Sequence, residues 1–102
     1  MTRIRILIAD DHPVVREGLA AMLERQEDMQ VVGDAPDGAA AVAKAAETSP
    51  DVVLMDIDMP GCDGLVATRL IKAELPQIKV VMLTVSSSDE NLFEAVKSGA
   101  SG

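Results

Sequence analysis

Ile4-Arg5-Ile6-Leu7-Ile8-Ala9-Asp10-Asp11 decides the architecture. Ile4 to Ala9 is short, rich in β-branched residues and almost continuously apolar, the pattern of a strand buried on both faces, and it stops at two adjacent carboxylates. The next segment has a different period. Pro13 suits the first position of a helix reaching about Gln26, with Val15, Leu19, Met22 and Leu23 on one face. Gln30 to Ala35 reads as a second strand. Asp37 then caps an Ala-rich helix to about Glu47, which Ser49-Pro50 breaks. Asp51 to Met55 is a third buried strand. Pro60, Gly61 and Gly64 mark the stretch from Asp56 to Gly64 as a loop, after which Asp63 can cap a helix over Gly64 to Glu74 with Val66 and Leu70 inward. Pro76 separates that helix from a strand over Ile78 to Leu83. Ser87 and Glu90 form a capping box for a fourth helix ending near Lys97, with Gly99 and Gly102 at its C-cap and turn.

Apolar strands that alternate with amphipathic helices imply an α/β fold, a doubly wound parallel sheet covered on both faces and built here from four βα units. The crossovers are expected to be right-handed. A length of 102 residues suits one domain, and 48% apolar residues supply a core. With Phe93 as the only aromatic, that core is made of Val, Ile, Leu, Met and Ala, and the six methionines read as filler.

Charge narrows the partners. Seventeen acidic residues against nine basic ones give a net charge of −8, which argues against direct contact with nucleic acid and suits a cation or a positive partner. Cys62 stands alone, so no internal disulfide can form; it reads as a chance free thiol, and a cytoplasmic location is expected. No apolar run approaches the roughly 20 residues that cross a bilayer, so no membrane contact is expected. Arg3 and Arg5 precede only Ile6-Leu7-Ile8-Ala9, which is no signal peptide.

In an open parallel sheet, function collects beyond the carboxyl ends of the strands. There the first strand delivers Asp10 and Asp11, the third Asp56 with Asp58 close behind, and the fourth Thr84. Singly these residues have plain readings: Asp11 before His12-Pro13 could be a helix cap, and Asp56 a loop opener. Together Asp10, Asp11 and Asp56 bring three carboxylates, and Thr84 a hydroxyl, to one edge. Clustered carboxylates repel each other, and a hard divalent cation such as Mg²⁺ relieves the repulsion. A carboxylate beside Mg²⁺ can attack a phosphoryl group, and Thr84 could donate a hydrogen bond to the product. His12 falls at the rim of this site.

These motifs resemble a known family. Ile8-Ala9-Asp10-Asp11-His12-Pro13, then Leu54-Met55-Asp56-Ile57-Asp58-Met59-Pro60-Gly61 with Asp63-Gly64, then Met82-Leu83-Thr84 are similar to receiver domains of two-component response regulators. Asp11-His12-Pro13, Arg16 with Gly18-Leu19, and Lys97-Ser98-Gly99-Ala100 resemble the NarL/FixJ branch, whose output is a LuxR-type helix-turn-helix. The resemblance covers the whole chain and implies a flavodoxin-like receiver fold. It implies Asp56 as phosphoacceptor and Thr84 as switch hydroxyl. It implies Mg²⁺ as cofactor, held directly by Asp11 and Asp56, through water by Asp10, and by the backbone carbonyl of Asp58. The implied partners are a sensor histidine kinase as phosphate donor and a DNA-binding output domain, with a second copy of the chain a further candidate; the domain itself is expected to be a switch and no enzyme.

Two departures stand out. The family's fifth βα unit, with a lysine at its strand end and an aromatic just before it, is missing from the 102 residues, so the reading is one receiver domain over 1–102, incomplete at the C-terminus. Val85 follows Thr84 where the family usually has a small residue, and its bulk is expected to narrow the pocket. Two alternatives remain beside the switch: a binding-only pseudo-receiver, favoured by the missing lysine, and a Mg²⁺-dependent phosphohydrolase, suggested by Asp56-Ile57-Asp58. In that class the Asp-x-Asp normally follows the first strand and the chain is larger.

Overall fold

The computed structural model describes residues 3–56, 64–83 and 89–101. Strands and helices alternate strictly: β1 (Ile4–Ala9), α1 (Pro13–Glu24), β2 (Met29–Ala35), α2 (Gly38–Thr48), β3 (Val52–Asp56), α3 (Gly64–Glu74), β4 (Lys79–Leu83) and α4 (Asp89–Ser101). The strands form one parallel sheet in the order β2-β1-β3-β4. The expected doubly wound architecture is thus present, with β1 and β3 at its centre. The order is that of a flavodoxin-like sheet, with its switch point between β1 and β3.

Successive strand residues point to opposite faces, and here both faces are apolar. Leu7, Ala9, Val53 and Met55 pack with Ala41 and Ala45 of α2 and Ala67 and Ile71 of α3. Ile6, Ile8 and Leu54 pack with Leu19 and Leu23 of α1 and Leu92 and Val96 of α4 on the other face. A central strand therefore has no room for a polar residue until it leaves the sheet. That is why the carboxylates stand at the strand ends, with Asp56 as the last residue of β3 and Asp10 just past β1.

Local signals explain most boundaries. Asp37 caps α2: its Oδ1 accepts the amide of Ala40 at 2.8 Å. Ser49 ends α2 in the left-handed region, at φ 47°, ahead of Pro50. The Lys72 ammonium closes the end of α3 by donating to the carbonyls of Pro76 and Ile78. Ser87, Asp63 and Gly102, each assigned a capping or turn role from sequence, lie outside the described residues.

Three expectations are corrected. Val66 and Leu70 do not face inward; each is 44% exposed, and Gly64, Ala67 and Ile71 form the buried stripe of α3. The helix begins close against the sheet, where a Cβ on Gly64 would collide with the carbonyl oxygen of Asp56 and meet Met55 Cγ at 3.1 Å. Only a stripe that starts with small residues fits so near a backbone, so the larger residues turn outward. Val15 is likewise 41% exposed, while Leu19 and Leu23 are buried. The first turn of α1 starts beyond the end of β1 and has little sheet beneath it. Gly99 is not a C-cap, since α4 continues through it to Ser101. A Cβ there would lie 2.6 Å from Val81 Cγ2, so this glycine permits a close helix-to-strand approach.

Candidate functional site

The site grows from the two central strands. β1 runs beside β3 in parallel register, Ala9 opposite Met55, so the next residue of each chain segment emerges at the same edge. Those residues are Asp10 and Asp56. Asp11 and His12 come next, in the turn that leads into α1. One ligand atom from each of Asp10, Asp11, His12 and Asp56 lies within 4.8 Å of the others. Of the residues singled out from sequence, Asp10, Asp11 and Asp56 are thus brought together. Asp58 and Thr84, together with Cys62, Met59-Pro60 and Val85, lie outside the described residues.

Asp10 is 3% exposed, and its position is fixed from several sides. Its amide donates to the carbonyl of Ala35 at 3.0 Å, tying it to the end of β2. Its Oδ1 accepts the His12 amide at 2.8 Å and lies 3.1 Å from His12 Nδ1. Its carbonyl oxygen accepts Arg16 Nη1 at 2.7 Å. Asp11 is not consumed as a helix cap: the N-cap position of α1 is taken by His12, whose own side chain makes no capping bond. Asp11 Oδ1 is buried and lies 2.9 Å from His12 Nδ1, yet receives no hydrogen bond of good geometry from the described residues.

His12, when protonated, supplies a counter-charge to this cluster. Its side chain is 65% exposed, but its Nδ1 points between two carboxylates. The hydrogen bond to Asp10 and the charge of Asp11 raise its pKa above the ordinary imidazole value. His12, expected at the rim of the site, keeps most of its side chain in solvent while its Nδ1 reaches Asp10 and Asp11. Arg16 went unassigned, although its spacing held a clue: a residue four positions after His12 sits on the same helix face, and its side chain leans back toward the helix N-terminus.

The donor set suits a hard cation. Three carboxylates supply only oxygen, and one buried oxygen lacks a hydrogen-bond donor among the described residues. A small divalent ion takes such ligands and retains water.

The comparisons with known proteins agree with this geometry. A family model for the response regulator receiver domain matches residues 6–102. This chain belongs to the response regulator receiver family. The transcriptional regulatory protein LiaR of Bacillus subtilis is 47% identical to the receiver chain over 97 residues, covering 95% of it and 46% of LiaR. The oxygen regulatory protein NreC of Staphylococcus epidermidis is 47% identical over 100 residues, covering 97% of this chain and 46% of NreC. The chain therefore spans about half the length of the curated relatives it matches. Among solved structures, a LuxR-family two-component response regulator from Aurantimonas sp. superposes with a TM-score of 0.79 at 37% identity, covering 99% of this chain and 72% of that one. The response regulator domain of Thermotoga maritima CheB gives a TM-score of 0.76 at 40% identity, covering 95% of this chain and 73% of that one. The relatives of this receiver fall in the NarL/LuxR family of response regulators. No helix among the described residues is long and apolar enough to cross a membrane.

Proposed function

We propose that this chain is a phosphorylation switch of a two-component system, with Asp56 as the phosphoacceptor. The observation that supports it best is the convergence of Asp10, Asp11 and Asp56 at the carboxyl edge of the sheet. A lone surface carboxylate is a poor nucleophile toward a phosphoryl group because like charges repel. Mg²⁺, when bound, offsets charge on both the carboxylates and the transferring oxygens. Asp11 and Asp56 would hold it directly, Asp10 through water, and Asp58 through its backbone carbonyl. An Asp56 carboxylate oxygen forms the new O–P bond as the bond from phosphorus to the donor's leaving group breaks. Thr84 would donate its hydroxyl to the new phosphate and so carry the change into the residues after β4.

The donor is a sensor histidine kinase, and the receiver output is a LuxR-type helix-turn-helix that binds DNA in the whole protein. Residues 1–102 would form a single receiver domain with four of the family's five βα units, in the cytoplasm, without turnover of an external substrate. LiaR and NreC are regulatory proteins by name, and a domain of net charge −8 leaves DNA contact to another part of the chain.

The test is intact-mass analysis of the whole protein after incubation with Mg²⁺ and a small phosphodonor. Wild type is expected to gain one phosphoryl group and Asp56→Asn none. Equal incorporation by both would overturn the assignment. Steady release of phosphate from added phosphate esters would favour the phosphohydrolase reading instead.

A further inference from the structure

We propose that Arg16 is a positioning residue for the acidic site, clamping the β1–α1 turn so that Asp10 and Asp11 face the same point. The inference rests on the reading that these carboxylates take a divalent cation. Arg16 itself is no ligand. It stands on the first turns of α1, its side chain is 16% exposed, and its guanidinium holds two acceptors on different elements. Nη1 donates to the main-chain carbonyl of Asp10 at 2.7 Å, and Nε lies 3.3 Å from Oδ2 of Asp34 on β2.

The position of the first contact matters. The paired register of β1 ends at Ala9, opposite Ala35, and the Asp10 amide makes the last main-chain bond to β2, so strand pairing no longer dictates the main chain beyond that amide, from the Asp10 carbonyl onward. The direction of the Asp10 and Asp11 side chains depends on how that turn is held. Arg16 fixes the carbonyl between those two residues, and Asp34 fixes Arg16. A guanidinium suits the task because its planar fork can serve two acceptors at once, whereas an ammonium is a single point charge.

Charge alone makes the opposite prediction, which separates the two accounts. If Arg16 acted only as a nearby positive charge, it would compete with a bound cation. Its removal would then tighten metal binding, and Arg16→Lys would change nothing. Asp34 already neutralises much of that charge through the direct pair, so holding the turn is the larger effect.

The experiment is calorimetric titration of Mg²⁺ into the intact protein, with thermal unfolding in metal-free buffer as a check of the fold. Arg16→Gln is expected to weaken Mg²⁺ binding roughly tenfold, in the range seen when an outer partner of a metal ligand is lost. Arg16→Lys, which retains charge and can keep one contact, is expected to recover part of that loss. Asp34→Asn, at a residue whose side chain is 59% exposed, is expected to weaken binding by less than Arg16→Gln does, without harming the fold. The double variant Arg16→Gln/Asp34→Asn should be no worse than Arg16→Gln alone, because both remove one shared clamp. Wild-type or tighter affinity in Arg16→Gln and Arg16→Lys would overturn the proposal. Should Arg16→Gln fail to fold, Arg16→Lys and Asp34→Asn decide, and wild-type affinity in both overturns it. If wild type itself takes no Mg²⁺, the metal-site reading fails and the clamp with it. If wild type binds and the variants match it, the clamp alone fails.

Discussion

His12 is the residue whose behaviour reports most directly on the cluster. It is the only histidine in the chain, so its titration is resolved without assignment doubt. The Asp10 hydrogen bond and the Asp11 charge favour its protonated form in the folded state. Linkage fixes the sign: the group's contribution to stability is full below the unfolded imidazole value and is lost as pH rises through the higher folded one. In metal-free buffer, NMR titration should find the His12 pKa above the ordinary value. Asp10→Asn should bring it down, and so should saturating Mg²⁺, which at the proposed site would neutralise the same carboxylates. An unshifted His12 in wild type, or one indifferent to Asp10→Asn, would contradict the hydrogen bond between them. At this scale the sequence exposed the acids better than their supports. Asp10, Asp11 and Asp56 come directly after apolar strands and are visible as the first charges beyond them. The roles of His12 and Arg16 depend on side-chain direction in a turn, which no local pattern encodes.

At the scale of the element, two glycines in helices have opposite reasons. Gly18 lies inside α1, and a Cβ added to it would meet nothing within 4 Å. The folded domain gains nothing from its flexibility there, so Gly18→Ala is expected to stabilise by about 0.5–1 kcal/mol, through helix propensity alone. Gly64 opens α3 against the carbonyl of Asp56, and Gly64→Ala is expected to destabilise by roughly 1–3 kcal/mol through overpacking. Because the strain falls on Asp56, the proposed acceptor, the same change should also slow phosphorylation. Chemical denaturation of the two variants checks the pair; a shift of both in one direction would refute this assignment of roles. The α3 helix also shows why helical phase is harder to read than strand phase. Leu65, Val66 and Leu70 make an apolar stripe in the sequence, yet the buried stripe is Gly64, Ala67 and Ile71. Hydrophobicity ranks residues by their own cost in water, while a helix seated close to a sheet selects by size.

Over the whole molecule, burial is uneven. β1 and β3 are covered on both faces and both edges, whereas β4 pairs with β3 alone among the described residues. Beside its free edge lies an open groove of about 380 Å³ lined by Thr68, Lys72, Lys79, Val80 and Gly99. Val80, Val81 and Met82 are only partly buried there. An apolar strand with an open edge is prone to pair with another strand, and Lys79 is a modest guard. A polypeptide of residues 1–102 by itself is therefore expected to self-associate, with a sedimentation profile that shifts with concentration. A monomer that unfolds cooperatively at all concentrations would show that this edge needs no cover.

The layered α/β architecture and the place of the acids within it are legible in the order of the residues. Both arise from local physics: buried strands must be apolar along their length, helices need one apolar stripe, and charge must wait for the strand to end. Asp37, Pro13 and Pro50 set boundaries by the same short-range rules. Which face of α3 turns inward, why Gly99 sits within a helix, and how Arg16 ties Asp34 to the carbonyl of Asp10 emerge only once the elements are packed. Each depends on the distance between elements far apart in the chain, such as α3 against β3, α4 against β4, and α1 against β2. That distance is set by packing of the whole core, so it leaves no periodic trace in any one segment.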